Sequence, residues 1–345
     1  MKGKMKAQLF YGPGDVRYEN INIPEVRNDE ALARIKSALT CGSDLKTYRR
    51  GHPTMIKKAS AFGHEWAGDI VEIGSDVDNF KVGDRVAAVN TVPCYECYYC
   101  KLGRYSLCEN LIYNNGAYAE YIKIPGNILK KNTYRIPDKI NYREAALLEP
   151  LACVVHGIEE SNIKTDDMVV INGAGPIGLM FVALARLKGA LVISVDLSDE
   201  RLEYAREFGA NYIVNGAKVD DQVQAVKNLT EERRGVDVAI DATGIPEVWE
   251  MSILMGRKGA TINLFGGCVP GTSVNIDTQL LHYSELTIKG VYHHTPYYVK
   301  KAFDLITSGK INTVKFITAD MPLKELVSAL ELMEQHKGIK YNIAT

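Results

Sequence analysis

The stretch MVVINGAGPIGLMFVALARLKGALVISVD, residues 168–196, constrains the fold more than any other part of this sequence. It has the pattern of an apolar strand, a glycine turn, an amphipathic helix and a second strand, which together make a βαβ unit. Helical and strand patterns continue to alternate after it, and DDQVQAVKNLTEERRG, residues 220–235, predicts one of the helices. The alternation predicts a parallel sheet covered on both faces.

The glycine turn has the spacing of a dinucleotide site. Gly173, Gly175 and Gly178 form G-x-G-x-x-G between strand and helix, where the backbone can approach a pyrophosphate at the helix amino terminus. Asp196 ends the next strand, where a carboxylate accepts hydrogen bonds from ribose hydroxyls and repels a 2′-phosphate. NAD is therefore favoured over NADP, although an arginine such as Arg201 can accommodate that phosphate. Simple packing of helix against strand is the alternative explanation of the glycines.

Composition limits the possible functions. A chain of 345 residues predicts two domains. Its 41 basic and 42 acidic residues give a net charge of -1, which offers no electrostatic reason to expect a nucleic acid or an anionic membrane as partner. No apolar run has the pattern of a signal peptide or a membrane span. We expect a cytoplasmic protein, in which clustered cysteines bind metal more often than they form disulfides.

Such a cluster occurs in PCYECYYCKLGRYSLCE, which contains Cys94, Cys97, Cys100 and Cys108. A bacterial iron–sulfur pattern would place its fourth cysteine closer and follow it with proline. A DNA-binding zinc finger would need a longer insertion between two ligand pairs. The remaining interpretation is a closed structural zinc site with four thiolate ligands.

Residues outside this cluster suggest a second metal site. Cys41, His64, Glu65 and Glu149 are sulfur, nitrogen and oxygen ligands of the kinds that zinc accepts. Spacing alone does not bring them together. Without further information, a buried thiol, a structural histidine and two ion-paired glutamates are the favoured explanation.

The motifs CGSD, GHEWAG, GAYAEY, LLEPLA, GAGPIGL, DATG and FGG occur in the order typical of one family. The chain resembles zinc-dependent medium-chain dehydrogenases, and within them it is most similar to the sorbitol/L-iditol (polyol) dehydrogenase branch. The resemblance implies an α/β protein with a GroES-like β-barrel catalytic domain, residues 1–151 and 290–345. It also implies a Rossmann NAD-binding domain, residues 152–289.

The resemblance also implies roles for individual residues. It makes Cys41, His64, Glu65 and Glu149 the site of a catalytic zinc, with Glu149 where alcohol dehydrogenases have a cysteine. The four clustered cysteines become a structural site, so each subunit would hold two Zn²⁺ ions. Ser43 matches a hydroxyl that relays the substrate proton toward the cofactor ribose, and a turn-capping serine is the alternative. The implied cofactor contacts are Gly173, Gly175, Pro176, Ile177, Gly178, Asp196, Arg201, Thr243 and Gly266.

Two departures from the family pattern concern proton transfer and substrate. Many relatives have a histidine where this chain has Lys46, so His52 or water would have to carry the proton onward. Polyol dehydrogenases have an Arg-Tyr pair where this chain has His293 and His294. These histidines are candidate substrate contacts that would change the preferred substrate.

The expected activity is oxidation of a secondary alcohol of a polyol or sugar alcohol to the ketone, with zinc and NAD. L-Threonine 3-dehydrogenase and a sugar-phosphate alcohol dehydrogenase are alternatives within enzymes. A regulatory or redox-sensing relative that binds NAD without turnover is the alternative outside them. The strand pattern ELTIKGVY predicts a sheet edge. The resemblance implies that a second subunit covers this edge, in a dimer or a homotetramer.

Overall fold

The computed structural model describes residues 2–51, 56 and 59–345. The chain divides into two compact units, unit 1 (Met1–Ala152 and His294–Thr345) and unit 2 (Cys153–His293). The strands are β1 Lys4–Gly12, β2 Asp15–Asn22, β3 Ala31–Leu39, β4 Ser60–Ala61, β5 Glu65–Ile73, β6 Arg85–Ala88, β7 Thr91–Val92, β8 Ile112–Tyr113, β9 Tyr121–Ile124, β10 Thr133–Arg135, β11 Met168–Asn172, β12 Leu191–Asp196, β13 Tyr212–Asn215, β14 Val236–Asp241, β15 Gly256–Leu264, β16 Thr287–Gly290, β17 Ile317–Pro322 and β18 Lys340–Ala344. The α-helices are α1 Gly42–Arg50, α2 Tyr98–Lys101, α3 Gly126–Asn132, α4 Tyr142–Ala146, α5 Leu148–Glu160, α6 Pro176–Leu187, α7 Asp199–Glu207, α8 Gln222–Lys227, α9 Pro246–Met255, α10 Thr278–Tyr283, α11 Pro296–Ser308 and α12 Leu326–Glu334.

Unit 1 is built from β-sheets. One sheet has the order β2-β1-β4, and a larger one has the order β10-β6-β5-β3-β18-β17, with β9 also pairing with β3. Strand β3 lies inside the larger sheet, and most of its ALARIKSAL side chains are buried. The carboxy-terminal strand β18 pairs antiparallel with β3, Ile343 opposite Ala38. The end of the chain therefore completes the sheet that carries β5, whose first residue is Glu65.

Unit 2 contains the predicted parallel sheet. Its order is β13-β12-β11-β14-β15-β16, and each neighbouring pair of strands is parallel. The apolar strand residues account for this arrangement, because Val170, Ile193 and Ile262 are fully buried in one core. The predicted βαβ unit is confirmed as β11, α6 and β12.

One predicted helix is wrong in its extent. Within residues 220–235 the helix α8 covers only Gln222–Lys227. The Thr230 hydroxyl accepts a hydrogen bond from the Gly235 amide, and Glu232 and Arg233 have positive φ angles of 49° and 59°. These side-chain and backbone conformations replace the helical hydrogen bonds that the charged pattern TEERR predicts.

Among the described residues, we find no helix with both the length and the apolar character needed to span a bilayer.

Candidate active site

The four clustered cysteines converge in unit 1. Each contributes a sulfur, and the four sulfurs lie within 4.8 Å of one another. Sγ of Cys94 is 3.9 Å from that of Cys100, and Sγ of Cys97 is 4.0 Å from that of Cys108. Four sulfurs bound at roughly 2.3 Å to one tetrahedral zinc ion lie about 3.8 Å apart. The spacing fits a single zinc ion, and no disulfide joins these residues.

Backbone amides stabilise thiolate at this lobe. The amides of Glu96 and Cys97 donate to the Cys94 sulfur, which lowers the pKa of Cys94 to about 6. Burial instead raises the pKa of Cys100 to about 12. A bound zinc ion would keep Cys100 in its thiolate form and balance the negative charge, because zinc binds cysteine as thiolate.

A second ligand cluster forms where α1, β5 and α5 begin. Cys41 precedes α1, His64 precedes β5 and Glu65 begins it, and the ligand atoms of these residues lie within 4.8 Å of one another. Glu149 lies in the first turn of α5, and its Oε2 is 3.9 Å from Nε2 of His64. The structure thus brings together the four residues that the resemblance implies for catalytic zinc. One sulfur, one nitrogen and carboxylate oxygens form a donor set that fits zinc.

The charges around His64 attract a cation. Burial lowers the pKa of His64, but the Asp44 and Cys41 side chains outweigh it, and the net shift is well above the ordinary value. Asp44 is fully buried and its Oδ1 is 3.5 Å from His64 Nδ1. A carboxylate at Nδ1 leaves Nε2 for a metal and fixes the orientation of the ring.

Glu65 is paired with a lysine that sequence analysis did not find. Nζ of Lys340, in β18, lies 2.7 and 2.6 Å from the two carboxylate oxygens of Glu65 and 2.7 Å from the Thr40 carbonyl oxygen. Glu65 is 0% and Lys340 1% exposed. Burial raises the pKa of Glu65 to about 7 against the lowering effect of the ammonium. At Lys340 burial lowers the pKa, but the nearby Glu65, Cys41 and Glu149 side chains together outweigh it and raise the pKa of the lysine.

Ser43 lies in the first turn of α1 with a buried hydroxyl. Its Oγ has no hydrogen-bond partner among the described residues. The residue at the amino-terminal cap of α1 is Cys41, so Ser43 does not cap this helix. Lys46 is exposed on the same helix. His52, the alternative proton carrier, lies outside the described residues.

The two adjacent histidines differ in their surroundings. His294 is 3% exposed in unit 1, with Nε2 3.8 Å from Glu149 Oε1 and 3.4 Å from Thr91 Oγ1. His293 ends unit 2 with a positive φ of 61°, and its carbonyl oxygen lies 2.7 Å from Nδ1 of His156. Glu149 therefore has an imidazole nitrogen near each of its carboxylate oxygens, one from His64 and one from His294.

The glycine turn in unit 2 is built for close backbone approach. Gly173 has a φ of +96°, and a Cβ at Gly178 would lie 1.7 Å from the Gly173 oxygen. A Cβ at Gly175 would meet nothing within 4 Å, so the start of α6 is open beside Pro176 and Ile177. Free amides at the first turn of a helix attract phosphate.

Asp196 lies against this turn. Its Oδ2 accepts a hydrogen bond of 2.7 Å from the Ala174 amide, and its Oδ1 accepts one of 3.0 Å from the Ser198 amide. Arg201 lies in α7, and its buried Nε has no partner among the described residues. The carboxylate is therefore fixed beside the glycines by two backbone donors.

A buried aspartate organises the neighbouring turn. Asp241, at the end of β14, accepts hydrogen bonds from the Thr243 hydroxyl at 2.6 Å and the Gly244 amide at 2.9 Å. A Cβ at Gly173 would lie 2.8 Å from Cγ2 of Thr243, and one at Gly266 would lie 2.6 Å from Oδ2 of Asp241. Thr243 and Gly266 therefore both adjoin the carboxyl ends of the strands, where dinucleotides bind in open sheets.

Comparison with known proteins identifies the family of this chain. The zinc-binding dehydrogenase family model matches residues 176–308, and the alcohol dehydrogenase GroES-like domain model matches residues 27–138. Sorbitol dehydrogenase of Bacillus subtilis (strain 168) is 33% identical over 343 residues, covering 97% of this chain and 95% of the relative. The chain belongs to the zinc-binding dehydrogenase family.

Other members agree with this assignment. D-Xylulose reductase A of Aspergillus oryzae is 32% identical over 347 residues, covering 97% of this chain and 95% of the relative. The NADP-bound structure of a Sinorhizobium meliloti 1021 protein described as a zinc-binding dehydrogenase has a TM-score of 0.91 at 30% identity, covering 99% of this chain and 100% of that one. The expected fold class, a GroES-like domain with a Rossmann domain, is confirmed, and the chain is an oxidoreductase of the zinc-containing alcohol dehydrogenase type.

Three side chains that support the candidate residues were not predicted from the sequence, Lys340 and Asp44 in unit 1 and Asp241 in unit 2. Lys340 and Asp241 carry no local motif that marks them as site residues, because their partners lie far away in sequence or in the backbone of a turn. Asp44 was within reach, since it closes the CGSD motif and a helix turn places it near Cys41.

Proposed function

We propose that this protein oxidises a secondary hydroxyl group of a polyol to the ketone, with NAD as hydride acceptor. The observation that carries the proposal is the clustering of Cys41, His64 and Glu65 within 4.8 Å, with Glu149 beside His64. The buried, unpartnered Ser43 hydroxyl belongs to the helix that begins after Cys41. A ligand set and a hydroxyl in one unit are what such an oxidation requires.

When bound at this site, zinc favours the ionised form of a substrate hydroxyl and NAD accepts the hydride. The chain's own residues handle the proton and the orientation. The Ser43 hydroxyl can accept the proton of a substrate hydroxyl in a hydrogen bond, since it has no competing partner among the described residues. The Asp44 carboxylate lies 3.5 Å from His64 Nδ1, where it can orient the ring, and Lys340 balances the charge of Glu65.

The cofactor contacts are proposed in unit 2. Gly173, Gly175 and Gly178 leave room for a pyrophosphate at the start of α6. The carboxylate of Asp196 beside them supports ribose binding and disfavours a 2′-phosphate. NAD is therefore the proposed cofactor, and preference for NADP, the nucleotide in the Sinorhizobium meliloti structure, is the competing outcome.

Polyols are the proposed substrates for two reasons. Relatives of this chain are named for sorbitol and D-xylulose, compounds with several hydroxyl groups. The His294 nitrogen near Glu149 adds a hydrogen-bonding group beside the proposed zinc ligands, which suits a substrate with a second hydroxyl.

Further proposals concern the rest of the molecule. The four-cysteine lobe would hold a structural zinc ion, giving two per subunit. Strand β16 ends the sheet order in unit 2, and an uncovered edge favours pairing with a second copy, in a dimer or a homotetramer. Metal-type clustering of thiols supports a reducing, cytoplasmic location.

The test is NADH formation on a panel of sorbitol, xylitol, other polyols, polyol phosphates and L-threonine. We expect a polyol to give the highest kcat/KM. His64→Asn should abolish turnover, while His336→Asn, a matched change at an exposed histidine, should retain it. Faster oxidation of L-threonine than of every polyol would contradict the substrate, and full activity of His64→Asn would contradict the site.

A further inference from the structure

Tyr118 lies in the GAYAEY motif, for which the activity provides no role. Its side chain is 0% exposed. Its hydroxyl lies 2.6 Å from Oδ2 of Asp44 and 3.1 Å from the Leu39 carbonyl oxygen. The single hydroxyl hydrogen goes to the nearer and charged acceptor, because charge-assisted hydrogen bonds are shorter and stronger. Tyr118 is thus a donor to the carboxylate that faces His64.

The two oxygens of the Asp44 carboxylate have different surroundings, since Oδ2 accepts hydrogen bonds and Oδ1 faces His64. Oδ2 accepts from the Tyr118 hydroxyl and from the Cys41 amide at 3.0 Å. Oδ1 accepts no hydrogen bond from the described residues, and His64 Nδ1 lies 3.5 Å from it. Fixing Oδ2 therefore sets the direction in which Oδ1 can reach the imidazole.

The ring of Tyr118 contacts the segment that carries His64. A Cβ at Gly63, the preceding residue, would lie 2.7 Å from the ring, and Gly63 has a φ of +85° that favours glycine. The Tyr118 amide donates to the Phe62 oxygen at 2.9 Å, and the two rings pack edge to face at 5.1 Å. One residue thus contacts both the helix that follows Cys41 and the segment that ends in His64.

We propose that Tyr118 is a positioning residue for the catalytic metal site, acting through Asp44 on His64. The inference rests on the proposed zinc site, and it adds an outer hydroxyl to the chain Tyr118, Asp44, His64. Groups that orient a metal ligand change metal affinity even when they never touch the metal. Loss of the hydroxyl should therefore loosen the ion at Cys41 and His64, leaving the four-cysteine lobe unchanged.

The experiment is competition for zinc between the purified full-length protein and a chromophoric chelator. Wild type should release two equivalents, one from each site. In Tyr118→Phe, which keeps the ring contacts with Gly63 and Phe62, we expect one equivalent to bind about 10-fold more weakly. The equivalent held by the four cysteines serves as internal control. Tyr142→Phe removes another tyrosine–carboxylate hydrogen bond, to Asp69, and should change neither equivalent.

A double variant distinguishes an effect of Tyr118 that passes through Asp44 from a general loss of packing around the metal site. Asp44→Asn should weaken the same equivalent by up to about 100-fold. Asp44→Asn/Tyr118→Phe should be no weaker than Asp44→Asn alone: the amide oxygen can still accept from Tyr118, but the negative charge that the hydroxyl would direct toward His64 is already gone. Unchanged affinity in Tyr118→Phe, weakening of both equivalents, or additive losses in the double variant would each overturn the inference. A wild-type protein that holds fewer than two equivalents would instead contradict the proposed zinc sites.

Discussion

The ion pair between Glu65 and Lys340 makes a demanding prediction about stability. Both side chains are at most 1% exposed, and the ammonium lies within hydrogen-bond distance of both carboxylate oxygens and of the Thr40 oxygen. Lys340→Met keeps a chain of similar length but removes the charge. Glu65 is then a buried carboxylate without its cation, a loss that typically costs about 3–5 kcal/mol.

The assay is urea unfolding of protein that keeps the four-cysteine zinc but has lost the catalytic zinc, because Glu65 is itself a proposed ligand of that ion. Unfolding is followed by one probe in unit 1, which contains Glu65 and Lys340, and one in unit 2, which contains the control pair. We expect the free energy of unfolding to fall by about 3–5 kcal/mol in Lys340→Met. The matched control is Lys289→Met, which breaks a 2.5 Å pair with Glu160 whose side chains are 32% and 39% exposed. That change should cost less than about 1 kcal/mol, because exposed ion pairs contribute little.

The double variant Glu65→Leu/Lys340→Met tests the cause. Replacing both partners by apolar groups leaves no uncompensated charge, so its stability should return to within about 1–2 kcal/mol of wild type. The reasoning about an uncompensated charge is refuted if Lys340→Met lowers the free energy of unfolding no more than Lys289→Met does. It is also refuted if the double variant is less stable than Lys340→Met.

Three further changes test other parts of the site. Cys100→Ser should lower the zinc content by one equivalent per chain, as measured by elemental analysis, and an unchanged content would argue against the four-thiolate site. Ser43→Ala should lower kcat by about 10²-fold or more with little change in KM, since positioned proton-transfer groups contribute on that scale; a kcat near that of wild type would remove Ser43 from proton transfer. Gly178→Ala places a Cβ 1.7 Å from the Gly173 oxygen and should abolish the NAD binding measured by calorimetry. The control is Gly83→Ala, where a Cβ would have nothing within 4 Å but φ is +92°. This variant should be less stable than wild type and should bind NAD with unchanged affinity.

The order of apolar runs and glycine turns in the sequence predicted the secondary structure that depends mainly on neighbouring residues. The alternation after Met168 predicted the parallel sheet because each apolar run is buried within it, and the fold class is confirmed. The extent of the helix after Asp220 was not predictable from charge pattern, because the Thr230 side chain competes for backbone hydrogen bonds. The predicted roles of Cys41, His64 and Glu149 remain predictions, although the structure brings these side chains together.

Contacts between distant residues explain what the sequence could not predict. Glu65 and Lys340 are separated by 275 residues, and Tyr118 and Asp44 by 74. Neither pair has a spacing rule, because the pairing of β18 with β3 and the packing of Tyr118 against Gly63 bring them together. Residues that support the proposed metal ligands are therefore found from three-dimensional contacts, whereas the candidate ligands follow from family motifs.

The most direct test of the central claim is NADH formation from the best polyol by one protein preparation before zinc removal, after removal of both equivalents, and after zinc is restored. The account predicts that activity is lost when the zinc is removed and returns when zinc is restored. Turnover that persists in protein shown by elemental analysis to be free of zinc would contradict it.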